Sequence, residues 1–204
     1  MSMDYFDEIM TTTRSVRRRL DFERPVDPDL IESCIDVATQ APTGLPSESW
    51  RFLIVTEPAV KAKLAEFYRD ALENLREARG GDLKPAQKAL ADRLHEVPVL
   101  ILACALGRPA PDSVAHQVAF YGSILPAAWS LMLTLRARGL GATWTTLHLL
   151  HEGAVAEALG IPADVTQTVL LPVGHLKDAV LRPARRRPAA EVTYWNEWGK
   201  SREP

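Results

Sequence analysis

Residues 118–135 run for eighteen positions without a charge, and Arg136 ends the stretch. A helix that apolar on every side has to be covered on every side. Its length approaches that of a membrane span. Gly122, Ser123, Pro126 and Ser130 interrupt it, and the well-patterned remainder of the chain would be left unexplained by one span. The reading that follows is a central helix, buried in a core or at a subunit interface, in a protein with no membrane partner. Arg136, Ala137, Arg138 and then Gly139 give it a basic last turn and a glycine stop.

The rest of the chain places elements around that helix. Tyr5, Phe6, Ile9 and Met10 share one face of a helix expected over residues 4–12, with Ser2 as its cap. Asp27-Pro28 opens a second helix, whose buried stripe is Leu30, Ile31, Cys34, Ile35 and Ala38. Residues 52–55 suit a buried strand. Glu57-Pro58 begins a charged helix that Gly80-Gly81 breaks near residue 79. A second charged helix is expected over 85–95, then strands over 97–106, 142–147 and 168–173, with a short helix over 151–159 closed by Gly160. The pattern is α+β, with helices outnumbering four or five strands.

The chain of 204 residues fits one domain, residues 1–204, with residues 181–204 as a C-terminal arm. That arm is basic and broken by proline, and it ends in Tyr194, Trp195 and Trp198. Such aromatics need burial area, so docking on a partner subunit is expected. The formal net charge of −2 argues against a nucleic-acid partner, which would favour a strongly basic balance. Two cysteines, Cys34 and Cys104, lie in apolar surroundings outside any CxxC pair. They read as buried thiols of a reducing, cytoplasmic compartment, and no basic leader region opens the chain.

Four segments could carry chemistry. Arg14, Ser15 and Arg17 follow the first helix beside Arg18 and Arg19, and a second cluster spans Arg182, Arg185, Arg186 and Arg187. Arginine forks match phosphate oxygens, so two converging clusters would make a dianion site; taken alone they equally describe two solvated turns. Residues 41–50, Ala-Pro-Thr-Gly-Leu-Pro-Ser-Glu-Ser-Trp, form a stiff turn between a helix and a strand. Gly139-Leu140-Gly141 precedes Thr143, Trp144, Thr145 and Thr146; it follows a helix and lacks the third glycine of a dinucleotide fingerprint. The five histidines show no metal-ligand spacing. His148 and His151 straddle an expected strand end, and no metal site is expected. No GxSxG elbow or P-loop occurs.

In combination these segments resemble the FMN-dependent nitroreductase family over nearly the whole chain. The order is Arg14-Ser15-x-Arg17, Pro25-Val26, the Ala-Pro-Thr-Gly turn ending in Trp50, Gly139-Leu140-Gly141 with Trp144, Gly160-Ile161-Pro162, Val173-Gly174, and Arg186-x-Pro188 with Glu191-Val192. The resemblance implies a nitroreductase-like fold, a central and mostly antiparallel sheet surrounded by helices, in an intertwined homodimer with two FMN sites. It assigns Arg14, Ser15 and Arg17 to the phosphate, ribityl and pyrimidine side of FMN, and Arg186 with its neighbour Arg185 to the phosphate. Pro42, Thr43, Leu45, Pro46 and Glu48 would come from the other subunit. Thr143, Trp144 and Thr145 would present backbone near the reactive edge.

The chain departs from the family pattern at Pro46, where asparagine is usual, and at Glu48, where glutamine is usual. Proline offers no donor and an ionised glutamate only accepts. Thr13 stands where many members carry another arginine, and Trp129-Ser130 where many carry Gln-Asn. The activity implied is an FMN-dependent NAD(P)H oxidoreductase. It would reduce nitroaromatic, quinone or activated-alkene acceptors by ping-pong hydride transfer from NADH or NADPH, with water supplying the proton and no catalytic side chain assigned. Pro46 and Glu48 motivate an alternative: a degenerate member that sequesters flavin or another small molecule without reducing anything. A third is a flavin-modifying enzyme of the same fold.

Overall fold

The structure is a computed structural model that describes residues 3–44 and 48–202. Its sheet is organised around one long strand, β5 (Val165–Leu176). β5 pairs with β3 (Val99–Leu106), and β3 pairs in turn with β2 (Trp50–Val55). Two short strands also pair with β5, namely β1 (Leu20–Asp21) and β4 (Leu140–Ala142). The strand order is β1-β5-β3-β2 with β4 added on β5, and every pairing between named strands is antiparallel.

The strand sequences explain why helices lie on both faces. Successive side chains of a strand point to opposite faces, and a strand covered on both is apolar throughout. On β3, Val99, Ile101, Ala103 and Ala105 enter one core cluster, while Leu100, Leu102 and Cys104 enter another. β5 divides likewise, with Val169, Leu171 and Val173 in the first and Leu170 in the second.

The first cluster is closed by α2 (Pro28–Ala38) and α5 (Val114–Ala137). Asp27 caps α2, its Oδ1 accepting the Asp29 N–H at 3.0 Å, and Pro28 takes the first helical position. Helix α5 contains the uncharged stretch. Phe120, Ile124, Ala127, Ala128, Leu131, Met132 and Leu135 sink into the core, so this is a core helix. Its first turns remain open, exposing Val114, Val118 and Tyr121. The Arg138-Gly139 stop is in place, with Gly139 at a φ of 80° that favours glycine.

The second cluster is closed by α3 (Pro58–Arg79), α4 (Pro85–Arg93) and α6 (Glu152–Leu159). Prolines open α3 and α4, and Gly80 and Gly160 end α3 and α6 in the left-handed region. Helix α1 (Met3–Thr12) lies against α5, where the Tyr5 hydroxyl donates to the Ala137 carbonyl at 3.1 Å.

Two expectations need correcting. The strand expected over 142–147 is shorter: pairing as a strand stops at Ala142, leaving a single bridge between Thr145 and Leu170. Thr143 donates its N–H to the Pro172 carbonyl, but Pro172 has no N–H to return, so the ladder is interrupted there. The chain then enters a 3-10 turn, Leu147–His151, so His148 and His151 both lie in that turn and do not straddle a strand end. The pair of residues in β1 was not anticipated, because two residues show no period.

Beyond Leu176 the arm is exposed through residue 202 apart from a few half-buried positions. Its aromatics pack within the arm: the Tyr194 and Trp198 ring centroids lie 5.0 Å apart, the Arg202 guanidinium lies 5.4 Å from the Trp195 ring centroid, and Trp198 is 91% exposed.

Candidate functional site

The segment after α1 and the segment after β4 are stitched together. Thr13 keeps one last helical bond, its N–H donating to the Ile9 carbonyl at 3.0 Å, and the chain then becomes extended. Val16 is buried in the second core cluster, its N–H donating to the Ala142 carbonyl at 2.9 Å. The Thr143 hydroxyl returns a bond to the Val16 carbonyl at 2.5 Å, and the Trp144 N–H donates to the Ser15 hydroxyl oxygen at 2.9 Å. Two segments more than 120 residues apart therefore have one fixed register, and Ser15, Arg17 and Trp144 are brought together. Ser15 accepts in this arrangement, so its own hydroxyl hydrogen remains available to donate elsewhere.

The backbone of the second segment is largely committed to the fold. The N–H groups of Thr143, Trp144 and Thr145 go to Pro172, Ser15 and Leu170. Thr143 and Thr145 are buried, and Trp144 is half-buried against the first core cluster. Gly141 has a packing explanation. A Cβ there would lie 2.6 Å from Leu176 Cδ2 and 2.9 Å from Leu20 Cδ2, so its close approach is to the protein.

Beside this stitch lies a cavity of about 320 Å³. Arg14 and Arg186 both line it, with Thr13 and Trp129. Its remaining lining comes from the end of α1 and from Pro183 and Ala184 of the arm, and among the described residues no carboxylate contributes. Two guanidiniums in a concave site without an acid suit a dianion. The two basic clusters, far apart in sequence, thus converge through one residue each. Arg185 is exposed and does not line the cavity.

The turn over 41–50 is tied to α5. The Gly44 N–H donates to Ser123 Oγ at 3.0 Å, and the Trp50 indole N–H donates to the Ser123 carbonyl at 2.8 Å. Ser123 is fully buried and donates in turn to the Ala119 carbonyl at 2.8 Å. Pro42, Thr43 and Glu48 are exposed, and none of them lines the arginine cavity of the same chain. Leu45 and Pro46 fall outside the described residues.

Two titratable groups lie behind the stitch. Tyr68 of α3 is buried, and its phenol oxygen accepts the Thr145 hydroxyl at 3.3 Å. Burial pushes its pKa up, while the Thr145 bond and the nearby Arg17 charge pull it down. His148 is buried in the 3-10 turn, and burial pushes its pKa down to about 4. Cys34 and Cys104 are both buried, with their thiol pKa values raised by burial, Cys104 to about 11. Among the described residues there is no group of three His, Cys, Asp or Glu that could hold a metal ion.

Sequence reasoning did not assign Trp129, Ser123 or Tyr68 to the site. Trp129 carried a signal, since it departs from the family pattern. Ser123 and Tyr68 carried none, because a serine or tyrosine inside an apolar helix stripe reads as packing.

Comparison with known proteins gives a consistent outcome. Residues 10–175 match the Nitroreductase family. The chain is 32% identical over 188 residues to the iodotyrosine deiodinase of Drosophila melanogaster, covering 86% of this chain and 64% of that protein. The chain thus spans a little under two thirds of that relative's length. It is 31% identical over 184 residues to the iodotyrosine deiodinase of Thermotoga neapolitana, covering 88% and 91% of the two chains. A solved structure of oxidised iodotyrosine deiodinase bound to FMN and 3-iodo-L-tyrosine superposes with a TM-score of 0.67 at 23% identity, covering 94% of this chain and 98% of that one.

Proposed function

We propose, for a chain that belongs to the Nitroreductase family, an FMN-dependent oxidoreductase that works as a homodimer in the cytoplasm. Reduced by NADH or NADPH, it would pass two electrons to a small aromatic or conjugated acceptor. The observation that carries this reading is the shared cavity of Arg14 and Arg186, whose positive lining, without a carboxylate among the described residues, fits a phosphate dianion. The Ser15 oxygen, already accepting from Trp144, keeps a hydrogen to donate at the same end of the site.

FMN, when bound, would supply the two-electron chemistry that links a reduced nicotinamide to an acceptor. The protein's part is to hold and tune. Arg14 and Arg186 take the phosphate. Arg17 would supply a positive charge that favours the reduced, anionic form of the flavin. Thr143, Trp144 and Thr145 form the wall beside the ring. Pro42, Thr43, Leu45, Pro46 and Glu48 of the second subunit would complete the site, since the described residues Pro42, Thr43 and Glu48 do not line the cavity of their own chain. Arg185 strengthens the field at the phosphate end from the surface. The exposed arm aromatics and the open first turns of α5 support a dimer in which both are covered.

Nitroaromatics, quinones and activated alkenes are the first acceptor classes. A second reading, reductive loss of halide from a halogenated phenol, is favoured by relatives at 31–32% identity that bear the name iodotyrosine deiodinase. There the carbon–halogen bond takes two electrons and a proton, giving the phenol and halide.

Visible absorption of the purified protein with added FMN tests the reading. Uptake of FMN and bleaching by NADH or NADPH under nitrogen are expected, followed by reoxidation with a nitroaromatic or quinone. Iodide release from 3-iodotyrosine would select the second reading. A protein that takes up no FMN overturns both, and one that binds FMN without being reduced by either nucleotide is a flavin sequestering protein.

A further inference from the structure

We propose that Tyr68 is a positioning residue of the flavin site, its buried phenol oxygen anchoring Thr145 and with it the stitched segments that carry Ser15, Arg17 and Trp144. The inference rests on the FMN reading above and adds to it a residue on an element, α3, that no site motif marks.

The geometry is one-sided. Side chains along an extended segment alternate, so Thr143 and Thr145 face one way and Trp144 the other. On the Thr143 side every hydroxyl is committed. Thr143 donates to the Val16 carbonyl at 2.5 Å, and Thr145 donates to Tyr68 Oη at 3.3 Å while its own oxygen accepts the Leu147 N–H at 3.5 Å. A relay thus runs from the 3-10 turn through Thr145 to α3. Tyr68 is 2% exposed among Leu64, Leu72, Leu100 and Leu170 of the second core cluster, so its ring is locked by packing. A hydroxyl fixed in an apolar core is an accurate reference point, and it holds whatever it bonds.

The same phenol feels the Arg17 guanidinium, whose charge favours the ionised phenol against the opposing effect of burial. Arg17 and Thr145 come from the two stitched segments, and Tyr68 interacts with both. Ring packing alone would be served equally well by phenylalanine. The hydroxyl is what the two site segments use.

The test is Tyr68→Phe, which keeps the ring and removes the oxygen. FMN affinity is measured by quenching of flavin fluorescence, the geometry of bound flavin by its visible circular dichroism, and the apoprotein by its urea midpoint. A weakening of FMN binding of about three- to tenfold is expected, the range of one hydrogen bond, with an altered visible dichroism. Thr145→Val should reproduce the effect, and the double variant should be no worse than either single one. A loss confined to the urea midpoint, with affinity and dichroism unchanged, would overturn the proposal, as would additive effects of the two substitutions. If Tyr68→Phe does not fold, Thr145→Val removes the same bond from the other side, and unchanged FMN affinity and dichroism there are equally decisive against it. Wild-type protein that binds no FMN overturns the functional reading and this inference together; wild-type protein that binds FMN beside an unaltered Tyr68→Phe overturns this inference alone.

Discussion

The Ser15 hydroxyl oxygen accepts the Trp144 N–H at 2.9 Å, joining a residue next to α1 to one 129 positions later in the chain. A backbone donor satisfied this way leaves a half-buried N–H unpaired when the hydroxyl is removed. Ser15→Ala should therefore lower the stability of the apoprotein by about 1–3 kcal/mol, read as a reduced urea midpoint. An unchanged midpoint would mean that water replaces Ser15 at no cost.

The arginine cavity makes a graded prediction. Arg14→Ala and Arg186→Ala should each weaken FMN binding by roughly ten- to a hundredfold, the range of a charge-assisted bond to phosphate. Arg185→Ala should do much less, because Arg185 stands outside the cavity and acts through solvent. Equal losses at Arg185 and Arg186 would place the phosphate elsewhere.

Glu48 bears on the ring end. It is exposed in a single chain, and an ionised carboxylate facing the flavin's carbonyl oxygens would repel them. Glu48→Gln should tighten FMN binding. A superimposable titration curve would place Glu48 away from the ring in the dimer.

His148 sets an acid limit. Its pKa is about 4 in the fold against about 6.5 for an ordinary histidine, so the unfolded chain takes up the proton first as pH falls. The contribution to stability is complete above pH 6.5 and declines between 6.5 and 4. The loss between pH 7 and pH 5 is about 2 kcal/mol from this group alone. Urea unfolding at the two pH values checks it. His148→Leu should remove that part of the difference, and an identical pH dependence in the variant would mean that His148 titrates normally.

The motifs of this chain are legible in its sequence because their local chemistry is unusual. Asp27-Pro28 and Glu57-Pro58 are local helix-start signals, and the uncharged run that Arg136 ends allows little besides a covered helix. The strand expected over 142–147 ends at Ala142 because the cause of its end, Pro172, lies on another strand and acts only once the two are paired. Tyr68 and Ser123 were invisible for a related reason. Within their own helices they are ordinary positions, and their significance lies in what the tertiary fold sets opposite them.

The sequence by itself determined most of the helices, the longer strands and the family resemblance, because periodicity, caps and turn residues act over a few positions and survive without a partner. The resemblance pointed to Arg14, Arg185 and Arg186 as candidate phosphate contacts, but only the tertiary structure put Arg14 and Arg186 in one cavity and left Arg185 outside it. Convergence of residues 172 positions apart depends on how α1, α5 and the arm pack together. That packing is the sum of many small contacts, none of which is written in either cluster.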